Sequence, residues 1–191
     1  MEKTLSIPIS NKKIVSNGVL GMVFLLAAEV MFFAGLISAY IVNRAGALDW
    51  PPTNQPRLPI EVTAVNTSIL IGSAISFFLF TKKFKTGNRS LKLLIISILL
   101  GTTFLLVQGA EWVKLIGYGL TTTSSLFGAF FYLIIGAHAL HAIAGLIALV
   151  YLCFVVKKIN TQEQERIHNS IIVCGMYWYF VVGIWPILYT L

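Results

Sequence analysis

The sequence predicts an all-α integral membrane bundle of five transmembrane helices. Three observations carry this. First, the 191 residues are 57% hydrophobic and only 11% charged, with a mean hydropathy of +0.84. A soluble domain carries about 25% charged residues. Second, five apolar stretches are each long enough to cross a hydrocarbon core about 30 Å thick. Third, the basic residues gather in alternate connections. The net charge of +7 therefore reads as membrane topology, with no nucleic-acid partner implied.

Residues 1–17 form a polar tail with Lys3, Lys12 and Lys13. It is expected to lie on the cytoplasmic surface, ahead of a single membrane domain over 18–191. It lacks a signal-peptide pattern, because the first apolar run is too long and no small-residue cleavage site ends it. The first helix is expected over about 18–43. Its small residues Ala28, Ala34, Gly35, Ser38 and Ala39 recur at helical spacing and would admit a close neighbour. Residues 44–59 carry Pro51, Pro52, Pro56 and Pro59, which forbid a helix there, and Trp50, which suits an interfacial anchor.

The second helix is expected over about 60–81, with Asn66, Thr67, Ser68, Ser73 and Ser76 as polar points. A strongly basic loop follows, Lys82 to Arg89. The third helix, about 90–115, ends in Gln108-Gly109-Ala110-Glu111-Trp112. Residues 116–125 are uncharged and rich in Gly, Thr and Ser. The fourth helix, about 126–156, contains His138 and His141. A charged loop over 157–168 then leads to the fifth helix, about 169–190, with Tyr177-Trp178-Tyr179-Phe180 and Trp185-Pro186.

The tail, the 82–89 loop and the 157–168 loop together hold about ten Lys and Arg. Arg44, Arg57 and Lys114 stand on the other side. The positive-inside rule then places the N-terminus in the cytoplasm and the C-terminus outside. Five spans also argue against two inverted halves, the usual plan of secondary transporters. Cys153 and Cys174 lie in separate apolar segments, so no disulfide or metal framework is expected.

Glu29 is the most expensive residue in the chain. It sits about 16 Å into the first apolar run, near mid-membrane, where a carboxylate costs roughly 2.5 kcal/mol or more. Three readings stay open for it. It is a proton-relay group, a neutral carboxylic acid hydrogen-bonded inside the bundle, or a group reached by lipid headgroups or water. His138 and His141 are three residues apart and share a helix face. Metal binding would need ligands from elsewhere, and the third histidine, His168, is expected in a cytoplasmic loop. The plainer reading has both imidazoles hydrogen-bonding across helices, to Glu111, or to a lipid. Gly136, Ala137, Ala142 and Gly145 around them imply close packing. Glu111 alone would be an ordinary interfacial residue. Trp178, Tyr179 and Trp185 read as packing, belt or interface residues. No nucleophile–base pair, phosphate loop or thiolate cluster is visible, so no catalytic, cofactor-binding or metal residue is assigned.

Taken in order, four stretches resemble subunit III of the haem–copper respiratory oxidases, the cytochrome c oxidase subunit III family in its five-helix bacterial form. They are Glu29-Val30-Met31-Phe32-Phe33, Gln108 to Trp112, Gly136-x-His138-x-x-His141-x-x-x-Gly145, and Tyr177-Trp178-Tyr179-Phe180-Val181 with Trp185. The resemblance spans roughly 18–190. It lacks the first two of the seven helices often found in the family. Tyr179 stands where the family usually has His, and Val182 where many members have an acid, so any role of that His–acid pair is not carried over. The resemblance implies a subunit without haem or copper. It would pack on oxidase subunit I, which carries those groups, alongside subunit II. It would bind phospholipid and support proton uptake and the durability of the oxygen-reducing site. Glu29, Glu111, His138 and His141 become its candidate lipid- or proton-related residues, with Glu29 buried, neutral and close to lipid or subunit I. The implied location is the bacterial inner membrane. A quinol oxidase, a nitric oxide reduction partner and a small proton-coupled transporter are the alternatives.

Overall fold

A computed structural model describes residues 16–52, 56, 60–87, 90–158 and 164–191. These form five α-helices and no strands: α1 Asn17–Gly46, α2 Ile60–Lys85, α3 Lys92–Gly117, α4 Leu126–Lys158 and α5 Gln164–Tyr189. Each is long and apolar enough to cross a membrane. The helices overrun the sequence-derived bounds, because hydropathy marks the membrane slab while backbone hydrogen bonding continues into the polar interface. The largest difference is at α5, which starts at Gln164 rather than 169. His168 is therefore helical, where the sequence suggested a loop. Residues 1–15 of the tail, Arg57 and Arg89 lie outside the described residues.

Successive helices alternate in direction, so one end of the bundle gathers Lys82, Lys83, Lys85, Lys92, Lys157, Lys158 and Arg166. We call this the lysine-rich end. The opposite end holds Arg44, Glu61, Glu111 and Lys114. The most extensive helix pairs are α2 with α3 and α4 with α5. The central helix is α5, which packs on α1, α2 and α4 and is the most buried of the five. At the other extreme, α1 has 6% of its most apolar window covered. It leans on α5 and touches α4 lightly.

In lipid, apolar burial does little to drive helices together, so close packing and hydrogen bonds must do so. Both are visible around Trp178, which is 1% exposed. Its indole lies between Gly101 of α3 and Gly145 of α4. A Cβ on Gly101 would come within 2.8 Å of Leu146 and 2.9 Å of the indole, and one on Gly145 within 2.8 Å of the indole. Only glycine at these two positions leaves the ring room. The indole Nε1 donates to Ser73 Oγ on α2 at 3.1 Å. Ser73 in turn donates to the Ser97 carbonyl on α3 (3.0 Å), and Ser97 Oγ donates back to the Ser73 carbonyl (2.9 Å). One tryptophan thus joins α2, α3, α4 and α5. Nearby, Ser76 Oγ donates to the Leu93 carbonyl at 2.8 Å, and Asn66 Nδ2 to that of Phe104 at 3.0 Å. Asn66, Ser73 and Ser76 are thus the stitches of α2 to α3.

The small-residue stripe of α1 behaves otherwise. Ala28, Ala34, Gly35, Ser38 and Ala39 are all exposed, and a Cβ on Gly35 would meet nothing within 4 Å. No described residue of this chain makes the close approach that the stripe suggested. Trp50 is also tied to the bundle. It donates from Nε1 to Tyr40 Oη (3.0 Å) and packs edge-on against Tyr40 and Phe127, pinning the α1–α2 connection to the bundle.

Candidate functional site

The mid-membrane carboxylate has a partner. Glu29 Oε2 lies 2.8 Å from His141 Nε2, across the seam between α1 and α4. Glu29 is 12 residues from the start of α1 and His141 is 15 from the start of α4, so both sit near the middle of long spans, about 18 and 22 Å in. The other ring nitrogen fixes the proton count. His141 Nδ1 is 2.7 Å from the Ala137 carbonyl, which can only accept, so Nδ1 carries a hydrogen. The contact between Nε2 and Oε2 then holds one proton. Either a carboxylic acid donates to a neutral imidazole, or an imidazolium donates to a carboxylate. Both arrangements sum to zero net charge, which greatly lowers the cost of holding the pair in an apolar medium.

The pair is walled but not sealed. Phe33, fully buried, presents its ring 5.2 Å from the imidazole centroid, and Phe32 lies at 6.0 Å. The two side chains remain 20% (Glu29) and 18% (His141) exposed. Glu29 is therefore mostly buried at the bundle's flank, with part of its side chain open. The cause is the sparse packing of α1 on α4.

His138 has a different setting. Three residues of helix rotate by about 300°, so the two imidazoles point about 60° apart. His141 reaches α1, while His138 turns into the bundle and is 1% exposed. Its ring lies 4.8 Å from Trp185, tilted by 31°, and meets Phe104 at 6.3 Å. Trp185 is itself anchored by Nε1 donating to Thr67 Oγ1 at 2.8 Å. Neither ring nitrogen of His138 has a hydrogen-bond partner among the described residues.

Glu111 does not join the histidines. It forms a 2.7 Å ion pair with Lys114, one turn along α3, at the end opposite the lysines. Tyr179 is 38% exposed and packs edge-on against Phe77. Among the described residues no group of three or more His, Cys, Asp or Glu is arranged to hold a metal ion. The sequence reading missed the Glu29–His141 pair, since 112 residues separate its members. It also missed the glycine slot for Trp178. The available signal was Gly101 within an apolar helix, where glycine costs about 1 kcal/mol over alanine without a packing reason.

The four sequence stretches thus meet in space. The first and third join through Glu29, Phe33 and His141, and the third and fourth through His138 and Trp185. The second and fourth share a cavity lined by Gln108, Glu111 and Trp185. A family model of cytochrome c oxidase subunit III matches residues 5–191. The chain belongs to the cytochrome c oxidase subunit III family. It is 35% identical over 173 residues to a probable cytochrome c oxidase subunit 3 of Mycobacterium leprae, covering 89% of this chain and 84% of that one. A similarly named protein of Nocardia farcinica is 35% identical over 169 residues (86% and 81%). Human cytochrome c oxidase subunit 3 is 31% identical over 178 residues, which is 89% of this chain and 66% of the human one. As a subunit III, the chain is a multi-pass membrane protein and a non-catalytic part of a haem–copper oxidase complex. In this family haem and copper belong to other subunits.

Proposed function

We propose that this subunit packs on oxidase subunit I through the exposed small-residue face of α1, with subunit II as a further neighbour. It holds phospholipid at the flank where α1 meets α4, and thereby supports proton uptake and the durability of the oxygen-reducing site. The observation that carries this is the state of α1. It is the least covered helix, its small residues are exposed among the described residues, and its one carboxylate opens partway onto that flank. A partly open Glu–His pair offers hydrogen-bonding atoms to a lipid headgroup or to a neighbouring subunit. Its zero net charge lets it remain in hydrocarbon when nothing is bound.

The lysine-rich end faces the cytoplasm in this reading, with the C-terminus outside and the bacterial inner membrane as the location. The names of the similar proteins favour cytochrome c over a quinol as the electron donor of the complex. The test is Glu29→Ala in the assembled oxidase, measuring phospholipid per complex and the number of turnovers before inactivation. Assembly should survive, with lipid retention or turnover lifetime reduced. Normal lipid content together with normal durability would remove the functional role of Glu29.

A further inference from the structure

A cavity of about 130 Å³ opens at the end of the bundle opposite the lysines. It begins among Ile60, Tyr189 and Leu191 at the helix ends and reaches Gln108, Ile134 and Ile135. Gln108 is nine residues from the end of α3 and Ile135 nine from the start of α4, so both lie about 13 Å inward. Most of the wall is apolar, but Glu111 and Gln108 stand one turn apart on its α3 side. The Gln108 amide has no hydrogen-bond partner among the described residues, although the residue is buried.

His138 lies one turn further in, about 18 Å from the start of α4. It follows Ile134 and Ile135 on the same helix and stacks on Trp185, and all three of these line the cavity. A neutral imidazole has one donor and one acceptor, and both are orphaned here. A third orphan, on α2, lines a separate apolar pocket with Val65 and Val107. Asn66 Oδ1 is unpartnered, while its Nδ2 is tied to the carbonyl of Phe104, whose ring touches His138. Each such atom costs roughly 1–3 kcal/mol if left dry. Orphaned polar atoms beside a cavity are the usual setting for buried water. At roughly 30 Å³ per molecule, this space holds about four.

We propose that the cavity is hydrated and that its water hydrogen-bonds Gln108 and His138. Water from the end opposite the lysines is thereby brought to within one helical turn of the Glu29–His141 pair. Lys114, Glu111, Gln108, His138, His141 and Glu29 form a polar succession from that end to mid-membrane. Its midpoint depends on water, since no side chain bridges Gln108 and His138. Tyr177 on α5 is within electrostatic reach of Glu29.

The chain has only three histidines, so solid-state NMR of the full chain with ¹⁵N-histidine, in phospholipid bilayers, can read each ring. The His141 Nδ1 signal, set by its bond to Ala137, reports that the bundle is intact. His138 should show magnetisation transfer from water and exchange of its ring N–H in D₂O despite its burial. Gln108→Leu should slow that exchange by about tenfold, the change expected for losing about one hydrogen-bonded step, while His168 stays unchanged. Gln108→Asn should retain most of it. No water contact at His138 in the unsubstituted chain would overturn the proposal. So would transfer from lipid acyl protons instead of water, which would make the cavity a hydrocarbon site, or exchange indifferent to Gln108→Leu.

Discussion

Replacing Trp178 with alanine should destabilise the bundle by about 3–5 kcal/mol, the range for emptying a buried aromatic site. The site cannot readily collapse, because Gly101 and Gly145 bring the backbones of α3 and α4 against the indole and have no side chains to move into the space. The Ser73 hydroxyl also loses the indole donor that ties α5 to α2. The converse change, Gly145→Val, forces a Cβ to within 2.8 Å of the ring and should cost about 1–3 kcal/mol by overpacking. The two effects are coupled. In Gly145→Val with Trp178→Ala the clash is relieved, so the double variant should lose less than the sum of the single losses. Thermal unfolding of the detergent-purified complex, followed by retention of this subunit, measures all three. Strict additivity would mean that the glycine slot does not exist.

The second large effect concerns the Glu29–His141 pair. His141→Leu strips Glu29 of its only observed hydrogen-bond partner at mid-membrane. Breaking a fully buried pair costs about 3–5 kcal/mol. Both side chains here are about one-fifth exposed, so about 1–3 kcal/mol is the expected loss. Glu29→Leu with His141→Leu should cost less than His141→Leu alone, because no polar group is then stranded. Glu29→Gln separates the two proton arrangements. An amide can replace a carboxylic acid as donor to Nε2, but it cannot replace a carboxylate as counter-ion to an imidazolium. The neutral arrangement predicts that Glu29→Gln keeps most of the stability that Glu29→Leu loses. Equal losses from Gln and Leu would contradict the neutral arrangement.

Much of the fold was legible in the sequence, for a simple physical reason. A membrane span must be apolar over about 20 residues and must satisfy its backbone within a helix. Hydropathy therefore locates the spans. It cannot locate helix ends, since Gln164, Glu165, Arg166 and His168 are polar yet helical. The site was legible as residue types and not as pairs. Glu29 was recognisable by its cost alone, but the identity of its partner depends on how α1 leans against α4. His138 and His141 looked equivalent because they share a face, and a rotation of about 60° was enough to give one a carboxylate and the other no partner. The small residues of α1 and those of α3 and α4 looked alike as well. In the structure Gly101 and Gly145 receive Trp178, while the stripe containing Ala28 and Gly35 faces away from the chain.

Membership of a working oxidase complex is tested by a reduced-minus-oxidised visible spectrum. The sample is whatever co-purifies with a tagged copy of this subunit in mild detergent. Haem bands should appear, with oxygen consumption on addition of reduced cytochrome c. A preparation that stays colourless under progressively gentler extraction, with this chain monodisperse and without partners, would contradict it.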